Sequence, residues 1–234
     1  MPDISNIWVL QDKDFGLGNF INLTPTLKLM ADHFDRPIPV FFDLGFVEAC
    51  FFDCGFIEIL AERPNSQPFF TSAMINYKND CPDYIHVYRT IASSLSLSGE
   101  LPHTYVDTAK EIKFLRYHIL FIRGSGTEHP YYVSNKTPDD SYYKERFKTE
   151  YCVFTGSQAD LDRCNGLFNG MDMVIGNIRE SLALIRDADL VIANDSGLAH
   201  AAAAMNKEMV ILWKNTKLPK NASPGKNTRI KFCH

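Results

Sequence analysis

The chain lacks the features that would commit it to a membrane, a metal site or a nucleic acid. Its six cysteines, Cys50, Cys54, Cys81, Cys152, Cys164 and Cys233, form no CxxC pair, and no second pair at metal-ligand spacing follows Cys50 and Cys54. That argues against a zinc module or a disulfide framework and for reduced thiols in a cytoplasmic protein. No apolar run reaches the roughly 18 residues of a membrane-spanning helix, although peripheral contact with a membrane is left open. Met1–Asn6 has Pro2 and Asp3 where a secretory signal would have basic residues and then an apolar core, so it does not read as one. The net charge is -4 with no long block of like charge, which argues against nucleic acid as a partner. No tandem repeat is apparent.

What the chain does have is length and an alternating pattern. With 234 residues, 45% of them apolar, it can bury one large core or two small ones. Ile7–Leu10 is a short apolar strand ending in a polar turn, Gln11 to Gly18. Leu27, Met30, Ala31 and Phe34 then mark one face of a helix. Thr24-Pro25 suits its N-cap and first residue; alternatively the helix starts near Gly18 and kinks at Pro25. Ile38–Phe42 is the next strand, completing a βαβ unit that implies a parallel sheet. The stretch Phe46–Leu60 is apolar without a clean period, and its Phe46, Phe51, Phe52 and Phe56 are expected in the core. Signals weaken from Ala61 to Arg116: Tyr84–Leu95 reads as a helix or a strand and helix, Ser93–Pro102 as a loop, and Thr108–Leu115 as a short helix.

The pattern restarts after Leu115. Tyr117–Ile122, Tyr151–Phe154, Met173–Ile175, Leu190–Ala193 and Met209–Trp213 are strands. Asp160–Leu167 and Asn177–Ala188 are helices, the second with Ile178, Leu182 and Ile185 on one face. Asn177 suits its N-cap, with Glu180 three residues on as a variant capping box. The expected domains are therefore 1–115 and 116–234.

Chemistry concentrates in Asn194-Asp195-Ser196-Gly197-Leu198-Ala199-His200, which leads from a buried strand into the alanine run Ala201–Ala204. A strand that delivers a glycine turn to a helix N-terminus suits an anion, because unpaired N–H groups and the helix dipole point at it. The N–H groups of Ser196, Gly197 and Leu198 would cradle a diphosphate, and Gly197 lets the backbone approach closely. The plain alternatives are a satisfied core histidine for His200 and a helix cap for Asp195.

This segment resembles the C-terminal signature of glycosyltransferase family 9, the heptosyltransferase-like enzymes. Asn177–Leu182 before it resembles the family's preceding helix. Met209–Trp213 with the loop through Pro224-Gly225 resembles its last strand and loop. At the other end, Gly16-Leu17-Gly18-Asn19 through Thr24-Pro25 resembles the family's opening glycine motif, and residues 46–116 carry little of the likeness. The resemblance implies an α/β fold of GT-B type, two Rossmann-like βαβ domains with parallel sheets facing a cleft. Residues 1–115 would form the acceptor side and 116–234 the nucleotide-sugar side. It further implies transfer of a sugar from a nucleotide diphosphate sugar to a hydroxyl acceptor, a glycan or another hydroxyl compound, with no cofactor and no metal. Donor contacts are then expected at Asn194, Asp195, Ser196, Gly197, Leu198 and His200. Asp160 is expected near ribose hydroxyls, and Gly16 and Gly18 line the opposite substrate. Gly124-Ser125-Gly126, Thr155-Gly156-Ser157, Lys214 and Lys220 are further candidates, with plain turns and solvated lysines as the alternative.

The chain departs from the family pattern at Asn19, where heptosyltransferases have an aspartate proposed as general base. An amide cannot take a proton at neutral pH. Asp12 or Asp14 would then supply the base from the same loop, or Asn19 only orients the acceptor, or the protein binds nucleotide sugars without transferring them. Solvated loop residues are the plain alternative for Asp12 and Asp14. The family's lysine-bearing loop is also not clear, with Lys136 or Lys144 as substitutes. The chain is shorter than the family's enzymes, so a trimmed acceptor half is expected. A non-catalytic binding module and a GT-B-type sugar-nucleotide epimerase or hydrolase stand as the other functions.

Overall fold

The computed structural model describes residues 7–14, 16–71, 90–91, 94–114, 117, 119–123, 152–164, 166, 168–213 and 227–232. The chain divides into two compact units, Met1–Asp107 and Thr108–His234. Among the described residues each is built on a parallel sheet, as alternating strands and helices require.

In the first unit the strands β1 (Val9–Gln11), β2 (Ile38–Phe42), β3 (Ile57–Ile59) and β4 (Phe70–Thr71) pair in the order β3-β2-β1-β4. Helix α1 (Leu17–Phe34) starts at Gly16 and runs through Pro25, so the longer of the two helix readings holds. A mid-helix proline frees the carbonyl four residues back, here that of Ile21. The Thr24 hydroxyl donates to that carbonyl at 2.7 Å and accepts the Tyr105 N–H at 2.8 Å. Thr24-Pro25 is thus a repaired helix interior. Phe20, Phe42 and Phe51 pack as the aromatic centre of this unit, Phe20 lying 4.9 Å from each of the other two rings.

Phe46 and Phe52, expected in the core, are instead 48% and 58% exposed. The segment forms the one-turn helix α2 (Gly45–Glu48) and a following turn. Val47, Cys50, Phe51 and Cys54 take its inward positions, which turns Phe46 and Phe52 outward.

In the second unit β5 (Ile119–Ile122), β6 (Cys152–Gly156), β7 (Asp172–Ile175), β8 (Leu190–Ala193), β9 (Met209–Trp213) and β10 (Thr228–Phe232) pair in the order β10-β9-β8-β5-β6-β7. Counted from β5 this is 3-2-1-4-5-6, the doubly wound dinucleotide-binding order. Phe121, Phe154, Phe168, Cys152, Cys164, Ile192 and Leu212 form its core. Helix α3 (Gln158–Arg163) begins at Ser157, and α4 (Ile178–Asp187) begins at Asn177, whose side chain accepts the Glu180 N–H. Between β7 and α4, Gly176 has φ +77 and donates to the Gly156 carbonyl at 2.9 Å, a turn that favours glycine. Helix α5 (Gly197–Ala204) follows β8.

The helix expected over Thr108–Leu115 does not form in its described part, residues 108–114. Arg186, near the end of α4, donates to the carbonyls of Thr108, Ala109 and Ile112 at 2.7 to 3.2 Å. The Ala109 carbonyl also accepts the Ile112 N–H at 3.1 Å, a single turn that is not continued as a helix. Most of Tyr84–Leu95 lies outside the described residues, although residues 90–91 and 94–95 are helical.

Candidate functional site

In the doubly wound order the strands on either side of the reversal leave a crevice at their carboxyl ends, where ligands bind. Here those strands are β5 and β8, and the Asn194 N–H still donates to the Ile122 carbonyl at 3.1 Å. Asn194, Asp195 and α5 therefore leave the sheet at the reversal point itself.

The start of α5 has a defined set of donors. The Ala199 N–H reaches the Ser196 side chain at 3.3 Å and the His200 N–H reaches the Ser196 carbonyl at 3.1 Å. Ser196 is therefore the N-cap, with extended backbone. Helix geometry leaves Gly197 and Leu198 without intrahelical acceptors for their N–H groups. Asn194 is wholly buried, and neither its side-chain oxygen nor its nitrogen has a hydrogen-bond partner; the Nδ1 of His200 is likewise buried and unpartnered. Leaving such groups unsatisfied costs about 1–3 kcal/mol each, so their clustering at a helix start marks a place built for a ligand or water. Asp195 is buried, and its Oδ1 lies 3.7 Å from His200 Nε2.

Asp160 is placed differently from these residues. Its Oδ2 accepts the Ser157 N–H at 3.0 Å and the Ser157 hydroxyl at 2.7 Å, while its own N–H donates back to Ser157 at 3.2 Å. Arg163 lies 3.5 Å from its other oxygen. The carboxylate is thus engaged in a capping box that starts α3. Thr155 is engaged as well, its hydroxyl lying against the Val174 carbonyl at 2.9 Å and Ser181 at 2.7 Å. A side chain at Gly156 would meet Phe154 at 3.3 Å. Gly124-Ser125-Gly126, Lys136, Lys144, Lys214, Lys220 and the loop at Pro224-Gly225 lie outside the described residues. The sequence reading passed over Arg123, which follows β5 at the reversal point and donates to the Arg163 carbonyl at 3.2 Å. A cation directly after the first strand of a doubly wound unit was the available signal.

In the first unit, Asp12, Asp14, Gly16, Gly18 and Asn19 cluster at the carboxyl end of β1 and the first turn of α1. Gln11 is fully buried, donating to the Asp12 carbonyl at 2.6 Å and accepting the Leu44 N–H at 3.1 Å. Asp12 is half-buried, and its Oδ1 accepts the Asp14 N–H at 3.0 Å. Asp14 is exposed, and Asn19 is half-buried in the first turn of α1.

A groove of about 640 Å³ lies elsewhere, lined by Lys110, Lys113, Phe114, Arg186, Asp189 and Lys207 among others. Asp189 and Lys207 precede β8 and β9, so this hollow is at the amino edge of the sheet, opposite the reversal-point crevice. Two of its cations, Arg186 and Lys207, serve the fold. Arg186 clamps residues 108–112 and pairs with Asp187, and Lys207 donates to the Arg186 carbonyl at 2.8 Å. The hydrogen bond from Arg186 holds the Asp187 carboxyl below its ordinary range.

Residues 145–233 match the family model for glycosyltransferase family 9 (heptosyltransferase). No curated protein matches the chain. Among solved structures, the glycosyl transferase family 9 protein from Veillonella parvula DSM 2008 superposes with a TM-score of 0.70 at 13% identity, covering 96% of this chain and 85% of that one. The E. coli ADP-heptose lps heptosyltransferase II gives 0.69 at 16% identity, covering 96% and 89%. E. coli heptosyltransferase WaaC with ADP gives 0.70 at 11%, covering 97% and 92%. At such identities the likeness is one of fold, and the fold is the α/β GT-B type built from parallel sheets.

Proposed function

We propose that the chain, whose residues 145–233 match the model of glycosyltransferase family 9, works as a glycosyltransferase of that family. The donor is a nucleoside diphosphate sugar, with ADP-heptose the first candidate because two of the similar structures are named for ADP-heptose or ADP. The second unit binds it. The observation that supports this most is the reversal-point turn Asn194–His200, with open N–H groups at Gly197 and Leu198 beside the orphaned polar atoms of Asn194 and His200.

The diphosphate lies against the start of α5, where the N–H groups of Ser196, Gly197 and Leu198 and the helix dipole meet its charge. Arg123 and His200 add side-chain donors. This charge is already in place when the donor's anomeric C–O bond breaks, so no reorganisation is needed as negative charge develops on the leaving diphosphate. No metal and no cofactor are required for it.

The first unit takes the acceptor. An acceptor hydroxyl attacks the anomeric carbon, the bond from that carbon to the β-phosphate oxygen breaks, and the hydroxyl proton passes to a carboxylate. Asp12 is that carboxylate, because its Asx turn orients it at the end of β1, whereas Asp14 is exposed. Asn19 orients the acceptor by hydrogen bonds. Gly16 and Gly18 keep this turn free of side chains. The protein works in the cytoplasm. No helix among the described residues is long and apolar enough to cross a membrane.

Calorimetry with ADP, ADP-linked sugars and their uridine counterparts tests the reading. Binding of a nucleoside diphosphate, weakened by Gly197→Val and unaffected by EDTA, is expected. A folded protein that binds none of them would overturn it.

A further inference from the structure

The hollow at the amino edge of the second sheet lies wholly within the second unit. It holds about 640 Å³, room for a small organic molecule. Lys110, Lys113, Arg186 and Lys207 line it against the carboxylates of Asp187 and Asp189. The excess of positive charge is local, because the chain as a whole carries -4.

The four cations are of two kinds. Arg186 has every N–H engaged: its Nε and one Nη2 hydrogen go to Asp187, and the others go to the carbonyls of Thr108, Ala109 and Ile112. Lys207 donates to the Arg186 carbonyl at 2.8 Å. Lys110 and Lys113, by contrast, are exposed, and neither has a hydrogen bond or ion pair among the described residues. The acids closest to them are engaged elsewhere. Glu111 lies between them in sequence but accepts from Arg179 Nε at 2.8 Å. Asp187 pairs with Arg186. Two ammonium groups are thus left without a paired carboxylate at the rim of one hollow.

The backbone that carries them is fixed. The Ile112 N–H closes a turn onto the Ala109 carbonyl at 3.1 Å, and Arg186 holds the carbonyls of Thr108 and Ile112 on either side. Ala109 is fully buried with φ +47, a left-handed conformation that residues with a side chain seldom take. A turn held in this way presents both lysines from a set place, so less freedom is lost when they meet one ligand. Phe114, half-buried, gives the hollow an apolar wall for the organic part of that ligand.

We propose that this hollow binds a phosphate group, with the ammonium groups of Lys110 and Lys113 as its counter-charge. The carboxylates in the lining set the class. A monocarboxylate brings one charge and meets two like ones. A phosphomonoester carries about 1.5 to 2 negative charges at pH 7 and offers three oxygens to the two cations. The site does not depend on the transferase reading, because it lies at the opposite edge of the sheet from the crevice at Asn194–His200. Its phosphate comes from one of two sources, a soluble phosphorylated compound or the headgroup of an anionic lipid.

The test uses the full chain at low salt. Calorimetry follows glycerol 1-phosphate, and sedimentation follows vesicles of phosphatidylcholine containing phosphatidic acid. Lys110→Gln with Lys113→Gln should weaken binding about tenfold with Tm unchanged, since neither lysine holds the fold. Lys110→Arg with Lys113→Arg should keep it. Gly197→Val, aimed at the other crevice, should leave it intact. Glycerol 1-phosphate binding that the glutamine pair weakens supports a soluble ligand, and vesicle binding alone that it weakens supports a lipid headgroup. Binding of neither probe, binding that survives in the glutamine pair, or equal binding of acetate would each overturn the proposal. Binding weakened by Gly197→Val would overturn it too, because it would then belong to the crevice at α5.

Discussion

Asp12 and Asp14 sit two residues apart in one turn, yet their settings differ. Asp12 is half-buried and oriented by the Asp14 N–H, whereas Asp14 is exposed. A general base contributes about 10²–10⁴-fold. Asp12→Asn should therefore lower kcat by at least about 10²-fold with donor Kd unchanged, while Asp14→Asn should stay within about threefold. Equal losses in both variants would show that the turn acts as a unit. At the donor site, Asn194→Leu removes a buried amide with no partner in the protein. Removing an unsatisfied polar group is stabilising or neutral for the fold. A rise in Tm together with weaker nucleotide binding would mark Asn194 as a ligand contact, and a fall in Tm would argue against it. Burial pushes the Cys54 thiol up to about 12, so almost no thiolate exists at pH 8. Iodoacetamide at that pH should leave Cys54 unmodified in the folded protein and label it in guanidinium, as mass mapping would show. The signature turn was legible as a strand end and a helix start, and Ser196 is the cap of that helix. At Asp160 the sequence left the partner open, because a carboxylate three residues after a serine serves a helix cap as readily as a ribose, and the bonds in place are those to Ser157.

Most elements announced themselves by period. β2 and β8 were read to the residue, and Asn177 was read as the α4 cap. The edge strands β3, β4 and β10 were missed, although Ile57-Glu58-Ile59 and Thr228–Phe232 alternate as edge strands do. β3 and β4, at three and two residues, are set by the partner they pair with. Helix α1 shows the same limit from the other side. Pro25 stops most helices, and here it does not, because Thr24 caps the carbonyl of Ile21 and receives Tyr105 from far along the chain. Thr24→Val keeps the shape and strands both groups, so it should cost about 2–3 kcal/mol of unfolding free energy, measured by urea denaturation. A loss under about 0.5 kcal/mol would mean that water replaces the hydroxyl.

At the scale of the molecule, the first residues of the second unit are held by a side chain distant in sequence. Arg186 fixes residues 108–112 within that unit, and its partner Asp187 has a lowered carboxyl pKa. A carboxylate whose folded pKa lies below its unfolded value adds stability above the unfolded pKa of about 4 and loses it as pH falls through the lower folded one. Arg186→Met should therefore destabilise the second unit at pH 7, with the difference from the parent protein shrinking below about pH 4. Calorimetry across that range reads both, and a pH-independent difference would leave the carbonyl clamp as the whole effect.

The sequence by itself determined the parallel α/β class, the run of strands and helices in the second unit, and the glycine turn that starts a helix after β8. Each follows from local period, capping and glycine placement within a few residues. Only the tertiary structure decided that β5 and β8 flank the reversal of strand order, since that depends on which strands pair. It also decided that Asp160 caps a helix, that Pro25 sits inside one, and that Phe46 and Phe52 face outward. Those outcomes turn on partners many residues away, whose approach no local pattern encodes.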